Sequence, residues 1–328
     1  MDFDFGEVQT AWRDKGAALG REVARDASAA TVVRGAARCG LLDPAADLLA
    51  VAIAVDALAR ESPAAAVIVA LHTGTALAVA GDARFSSLFL GETVAAVGLS
   101  SDDVPVEQGG RVSGRAPWVA PIADRGIAVV GLRRGTERVA FAVPFDAPGV
   151  TIETVGTAGL AGLVSGHVTF ADARCEPIGA TLPIMTRIRI LIAAAGLGMG
   201  RRALGEALAA ARAARTAAAG EQTVQGLLAD AATELDAAML MTWKAASGAA
   251  LSLADASLAK LMATGAAQRA VERATQVVGI DSFQRGHIIE RLAQDVRALE
   301  LFAGRTEALR AAVAEEILPR PAGAQPQP

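Results

Sequence analysis

The feature that most constrains this chain is that its residue texture changes twice along its length. From about residue 6 to residue 92, apolar residues recur at helical spacing, first after Val8 and again from Asp47 to Arg60. Gly40 and Pro44 separate the first helices, and Ser62-Pro63 opens the next. Between about 93 and 180, short β-branched runs take over: Thr93 to Leu99, Gly126 to Leu132, Arg138 to Val143, Val150 to Val155 and Gly166 to Phe170. Turn signals at Gln108-Gly109-Gly110, Arg134-Gly135-Thr136 and Ala147-Pro148-Gly149 lie between them. From Ile184 to about Glu316 the spacing is helical again, in segments long enough for an antiparallel bundle. The tail, Pro319 to Pro328, is Pro-rich and reads as disordered.

Helices, then strands, then long helices is not the alternating order of a doubly wound parallel sheet. The expected fold class is α+β. A helical N-terminal domain would span 1–92, a middle antiparallel β domain 93–182, a C-terminal four-helix bundle 183–318 and a disordered tail 319–328.

Composition narrows the function classes. The 328 residues include 33 Gly and no Tyr, and 52% are hydrophobic, which suits helices in close contact. A net charge of -4 without a basic stripe offers nothing to neutralise nucleic-acid phosphates. Cys39 and Cys175 are far apart, so no disulfide framework is expected and a reducing cytoplasm is the default location. His72, His167 and His287 each stand without a second ligand at metal spacing, so no metal site is expected. The N-terminus shows no basic region before an apolar one, and hence no signal peptide. The apolar stretch Pro63 to Gly81 is mostly Ala and carries His72, Thr73 and Thr75, so it reads as a buried helix rather than a membrane span. Gly196-Leu197-Gly198-Met199-Gly200 neither follows a strand nor opens a helix. It reads as a close helix–helix contact rather than a nucleotide loop.

Several segments point further. Val55 to Arg60 is similar to an "EELAR" helix, and Gly91-Glu92-Thr93 with Ala96 to Leu99 to "GE…A…LTE". Gly159 to Gly162 followed by Val168 to Arg174 is similar to "GLRG…V.FDDVRVP". Gln276 to Gly279 matches the start of "QIHGG", and Glu290 to Asp295 is similar to "ERLYRD". In this order and over most of the chain, they resemble the acyl-CoA dehydrogenase family.

That resemblance implies a flavoprotein in which a carboxylate removes the α-proton of an acyl-CoA while the β-hydride passes to FAD. The base is usually the Glu of "YEGT", and the corresponding stretch here is Phe302-Ala303-Gly304-Arg305. Some members carry the Glu just before an Arg on the long helix. That Arg corresponds to Arg189, a substrate-binding candidate, and Ile188 precedes it. Glu300 and Glu307 would share a helical face with Ala303 if the helix is regular, although a solvated or inter-subunit charge pattern is the plainer reading.

The implied flavin contacts are thinned too. Trp118-Val119-Ala120-Pro121 stands for "WITN", keeping the indole and losing the hydroxyl. Ser100 to Asp103 replaces a longer loop, and Arg215 is what remains of a diphosphate-binding "RKQFG". Gln276 and Gly279 persist, while Ile280 replaces a second Gly. The cofactor-binding candidates are therefore Trp118, Arg215, Gln276 and Gly279. The plainer readings are a partly buried Trp for Trp118 and a helix-end cap for Gln276.

The resemblance thus implies a subunit lacking the catalytic Glu. Its partner would be a catalytic acyl-CoA dehydrogenase subunit in a heterodimer or α2β2 heterotetramer, with FAD shared with or held mainly by that partner. The substrate would be a bulky acyl-CoA of the steroid side-chain type, with no nucleic acid and no membrane involved. The alternatives are a base-free flavin monooxygenase-like enzyme of the same fold and a non-enzymatic acyl-CoA-binding scaffold.

Overall fold

The computed structural model describes residues 6–99, 105–134, 137–213, 221–248 and 250–318. Five helices come first: α1 (Glu7–Glu22), α2 (Ala29–Arg38), α3 (Leu48–Glu61), α4 (Pro63–Ala76) and the single turn α5 (Ser86–Phe89). Ser28 caps α2 by accepting the Thr31 N–H, and Pro63 occupies the first turn of α4, where a missing N–H costs nothing. Thirteen of the fourteen residues of α4 are buried, so the apolar stretch at Pro63 is an internal helix.

Eight strands follow: β1 (Val94–Gly98), β2 (Val106–Gln108), β3 (Arg111–Val119), β4 (Gly126–Arg134), β5 (Glu137–Pro144), β6 (Val150–Val155), β7 (Ser165–Arg174) and β8 (Glu176–Ala180). They form one sheet in the order β6-β7-β3-β2-β4-β5-β8, with β1 paired to β4. The expected sheet was antiparallel throughout. In fact β1 and β2 both run parallel to β4, because the chain crosses over between them instead of turning back in a hairpin. Strand β3 gave no sequence signal, since Gly114 and Pro117 interrupt its alternation. Two irregularities in its register with β7, between Val112 and Gly114 and between Ala116 and Val119, absorb those residues.

The C-terminal part holds three long helices and two shorter ones: α6 (Thr181–Ala213), α7 (Gln222–Ser247), α8 (Leu253–Val278), α9 (Ile288–Leu299) and α10 (Thr306–Ile317). The fold is α+β, with helices on either side of a β domain in sequence. Helix α6 is long and apolar enough to cross a membrane, but 83% of its apolar window is buried against the other helices. The Pro319–Pro328 tail lies outside the described residues.

Small residues set the spacing between helices. A β-carbon at Gly198 of α6 would collide with the Asp56 carbonyl of α3, and one at Gly200 would stand 3.0 Å from Ala267 Cα of α8. Gly16 of α1 meets the Ala54 carbonyl of α3 in the same way. The glycine run Gly196 to Gly200 is therefore a helix-packing surface. Asp56, buried on α3, accepts from Arg60 at 3.1 Å and also from Arg201 of α6, so the "EELAR"-like segment is a tie between α3 and α6.

Two of the joints that attach the β domain involve buried side chains. His72, buried on α4, donates from Nε2 to the Leu88 carbonyl (3.0 Å) while its Nδ1 accepts the Ala95 N–H (3.1 Å), linking α4, α5 and β1. An N–H pointing at Nδ1 requires that nitrogen to be unprotonated, which fixes the neutral tautomer. At the second joint, Asp295 of α9 accepts the Leu160 N–H, and a β-carbon at Gly159 would stand 2.6 Å from the Gln294 carbonyl. The segments similar to "GLRG" and "ERLYRD" thus meet each other.

Two outcomes follow. Gly198→Ala should destabilise the protein by about 3 kcal/mol or prevent folding, because the added methyl meets backbone. Gly205→Ala, on the same helix with open space around it, should stabilise by about 0.5 kcal/mol. Denaturant titration of both variants checks the opposite signs.

Burial pushes His72 down to about 4, against 6.5 when unfolded. The unfolded chain therefore binds the extra proton as pH falls from 6.5 to 4, and stability is lost across that window. The loss should total about 3 kcal/mol. It should be absent from His72→Gln, so the stability of the wild type relative to that variant should fall by this amount between pH 6.5 and pH 4 in denaturant titrations.

Candidate functional site

Position 303 lies in a turn. Helix α9 is capped by His287, whose Nδ1 accepts the Ile289 N–H, and ends at Leu299. Ala303 then takes a left-handed backbone, φ +57°, followed by Gly304 at φ +109°, before α10 starts at Thr306. Left-handed backbone disfavours a residue with a β-carbon, so the surroundings must hold Ala303 there.

They do so through three carbonyls. Arg189 of α6 donates from Nε to the Ala303 carbonyl (3.1 Å) and from Nη1 to Ser257 Oγ of α8 (2.8 Å). Lys260 of α8 donates to the carbonyls of Gly304 (2.6 Å) and Glu300 (3.3 Å). Both side chains are buried, and both sit at the C-terminal end of α9, where unpaired carbonyls need N–H donors.

No proton acceptor reaches the turn from the expected positions. Ala303 is 8% exposed and presents a methyl group. Ile188 is buried, and its backbone and Cγ1 lie so near α4 that a β-carbon at Gly74 would stand 2.8 Å from Cγ1. The regular helix expected to align Glu300, Ala303 and Glu307 is broken, because Gly304 and the backbone of Ala303 both leave helical geometry. Glu300 instead accepts from Gln268 Nε2 and Thr306 Oγ1, each at 3.1 Å. Those bonds, Gln268 first, hold its carboxyl below the ordinary range and make it a poorer base. Glu307 is exposed on α10.

Arg189, expected to meet substrate, is buried and bonded to the protein's own backbone and Ser257. Burial pushes its guanidinium below its ordinary value. Lys260, Ser257 and the Leu160–Asp295 joint were not picked out from the sequence. The available signal for Lys260 was a single cation inside the Ala-rich run Ala254 to Ala267.

The flavin candidates fall on two separate elements. Trp118 sits at the second register irregularity of β3, with φ +54° and 58% exposure. Its ring meets His167 of β7 edge-on at 5.5 Å, and its backbone N–H donates to His167 Nδ1 at 3.4 Å. It is an open aromatic shelf rather than a partly buried Trp. Ala120 is buried, and its backbone bonds Val97 of β1 in both directions. Gln276 is exposed in the last turn of α8, and Gly279 ends that helix with φ +76°, beside the exposed side chains of Ile280 and Phe283. Arg215 and Ser100 to Asp103 lie outside the described residues. A cleft of about 560 Å³ between α5 and the sheet is lined by Phe85, Leu88, Ile127 and Ala142, and none of the candidate residues borders it.

Comparison with known proteins places this arrangement. The acyl-CoA dehydrogenase C-terminal domain matches residues 153–318, half of the chain. This chain belongs to the acyl-CoA dehydrogenase family. It is 31% identical over 193 residues to 3-sulfinopropanoyl-CoA desulfinase of Paraburkholderia xenovorans strain LB400, covering 53% of this chain and 49% of that one. It is 30% identical over 231 residues to the mitochondrial short-chain specific acyl-CoA dehydrogenase of Homo sapiens, covering 63% and 56%. The chain therefore spans about half the length of the curated relatives it matches. The solved structure of butyryl-CoA dehydrogenase from Megasphaera elsdenii superposes with a TM-score of 0.86 at 17% identity, over 97% of this chain and all of that one. A glutaryl-CoA dehydrogenase–glutaryl-CoA complex gives 0.85 at 17% identity, over 97% of each. These two likenesses show the shared fold.

FAD, which the family implies, does not fit the described residues of one chain. Trp118 and His167 offer one aromatic shelf, but Ala120 has no hydroxyl and its amide and carbonyl are taken by Val97. Arg189 and Lys260, which bind the turn at 303, are buried on carbonyls and present nothing to a phosphate. No described hydrogen bond joins Trp118 to Gln276 or Gly279.

If the turn is held in place against its own backbone preference, Ala303→Gly should relieve it. The expected gain is about 1 kcal/mol in denaturant titration. A loss of stability would mean that the methyl packing outweighs the strain.

Proposed function

We propose that this chain is the subunit lacking the catalytic carboxylate in a heteromeric FAD-dependent acyl-CoA dehydrogenase. The observation that carries the reading is the paired absence at Ala303 and Ile188, in a turn whose backbone is still held by Arg189 and Lys260. A single chain has no described group that could take an α-proton there, and its described residues do not cradle a flavin. A partner subunit would supply both the base and most of the FAD contacts. Trp118, Gln276 and Gly279 would present this chain's share from two exposed edges, with Arg215 as the cation for a diphosphate.

The substrate would be a bulky acyl-CoA, of the steroid side-chain type, gaining an α,β double bond. A degenerate subunit beside a catalytic one relieves crowding around a large acyl group. The assembly would be a heterodimer or an α2β2 heterotetramer in the cytoplasm.

A second reading has one observation in its favour. The relative from Paraburkholderia is named a desulfinase and not a dehydrogenase. A base-free flavoenzyme of this fold, such as a flavin monooxygenase, would need no carboxylate at 303. It would still have to hold flavin by itself, which the described residues do not support.

Expression of the chain alone and together with the dehydrogenase encoded beside its gene separates these readings. The chain alone should purify colourless, and the pair should form a yellow complex that oxidises acyl-CoA. A yellow homotetramer that reacts with oxygen would support the second reading and sink the first. Ala303→Glu should leave acyl-CoA oxidation by the lone chain at background, because a base without a flavin site does nothing. Recovered activity in that variant, with FAD added, would overturn the subunit proposal.

A further inference from the structure

Lys260 is a cation-forming side chain with no exposed surface, and among the described residues no carboxylate lies within ion-pair distance of it. By contrast, Lys244 pairs with Asp255 at 2.8 Å in solvent. The acid nearest Lys260 along the turn, Glu300, has its carboxylate oxygens on Gln268 and Thr306 and offers Lys260 only its backbone carbonyl. Lys260 Nζ has two described acceptors, the carbonyls of Gly304 and Glu300. A neutral amine has two N–H donors and an ammonium has three. The acceptor count among the described residues therefore matches the neutral amine, and a third donor would find no described protein acceptor there, which is costly in a buried site.

The charges around it agree. Burial comes first, and Arg189 of α6 second, in pushing Lys260 down to about 7, with Glu300 pulling weakly the other way. Glu307 and Arg310 of α10 and Arg297 of α9 are solvent-exposed.

We infer that Lys260 holds the turn from Glu300 to Arg305 as a neutral amine, and that its protonation loosens that turn. This makes the segment bearing Ala303 a pH-sensitive latch. On protonation, Lys260 gains a third donor without an acceptor and faces the Arg189 guanidinium across the same few carbonyls. The sign runs one way. The unfolded lysine titrates near its ordinary 10.5, so the native protein binds fewer protons between about 7 and 10.5, and stability falls as pH falls through that range. Below about 7 both states carry the proton, that slope ends, and the native turn itself bears the charge. The inference does not depend on the subunit proposal, since it concerns only groups within this chain.

The chain has three lysines, Lys15, Lys244 and Lys260, so labelling lysine with ¹³C at Cε and ¹⁵N at Nζ gives three side-chain signals. Lys15→Arg and Lys244→Arg each remove one and assign the third. The Lys260 signal should titrate near neutral pH, and an ammonium signal persisting to pH 9 would overturn the inference. Hydrogen exchange of the amides from 300 to 309, corrected for intrinsic rates, should lose roughly tenfold protection between pH 8 and pH 6, the scale of one buried hydrogen bond. Lys260→Met should make that protection independent of pH, and Lys260→Arg should keep it low throughout. Protection in the wild type that does not change with pH would also overturn the latch. Should Lys260→Met fail to fold, the two wild-type measurements still decide.

Discussion

Everything in this fold is arranged around how closely other backbones approach α6. Gly198 lets the α3 carbonyls in, and Gly200 lets α8 in. Burial of large side chains alone would push helices apart, because each must clear its neighbour. Ala and Gly allow contact at the backbone, so the core gains density from many small dispersion contacts rather than from bulk. The consequence reaches the site. With the helices this close, a long polar side chain on the buried faces of α6 and α8 can reach backbone carbonyls of the neighbouring turn. Arg189 and Lys260 bind the turn after α9 for that reason.

This also sorts what could be read from the residues alone. Helices were visible because their apolar residues recur with the helical period, and the glycine run on α6 was read as packing because no strand precedes it. Strand β3 was hidden, because Gly114 and Pro117 break its alternation and only pairing with β7 restores it. The parallel pairing of β1 and β2 with β4 was equally hidden, being a matter of long-range topology rather than local pattern. Ala303 could be located through the resemblance, but its turn could not. Glu300 to Phe302 reads as a continuing helix, and Gly304 alone marks the break. The roles of Arg189 and Lys260 depend on what lies across the bundle, which local sequence does not encode.

The resemblance motifs divide along the same line. The segments that matched well turn out to be joints between elements: Asp56 to Arg201, and Leu160 to Asp295. The segments that matched poorly are those assigned to base and flavin. A chain can keep its joints without its chemistry, because the joints are required for folding in any role. Retained joints therefore say little about catalysis, whereas the loss of a carboxylate removes a reaction step outright.

The held turn is harder to explain by folding alone. A left-handed Ala costs more than a Gly would, and two buried side chains, Arg189 and Lys260, fix the carbonyls around it. If the segment served only as a link between α9 and α10, a Gly at 303 or an ordinary turn would do the same with less strain and fewer buried polar side chains. Strain of this kind persists where the surroundings need one particular backbone path. Under the subunit proposal, such a need would come from what the turn is pressed against. A rigid wall beside a partner's active site is a role for which the shape of residues 300–305 matters and the side chain at 303 does not.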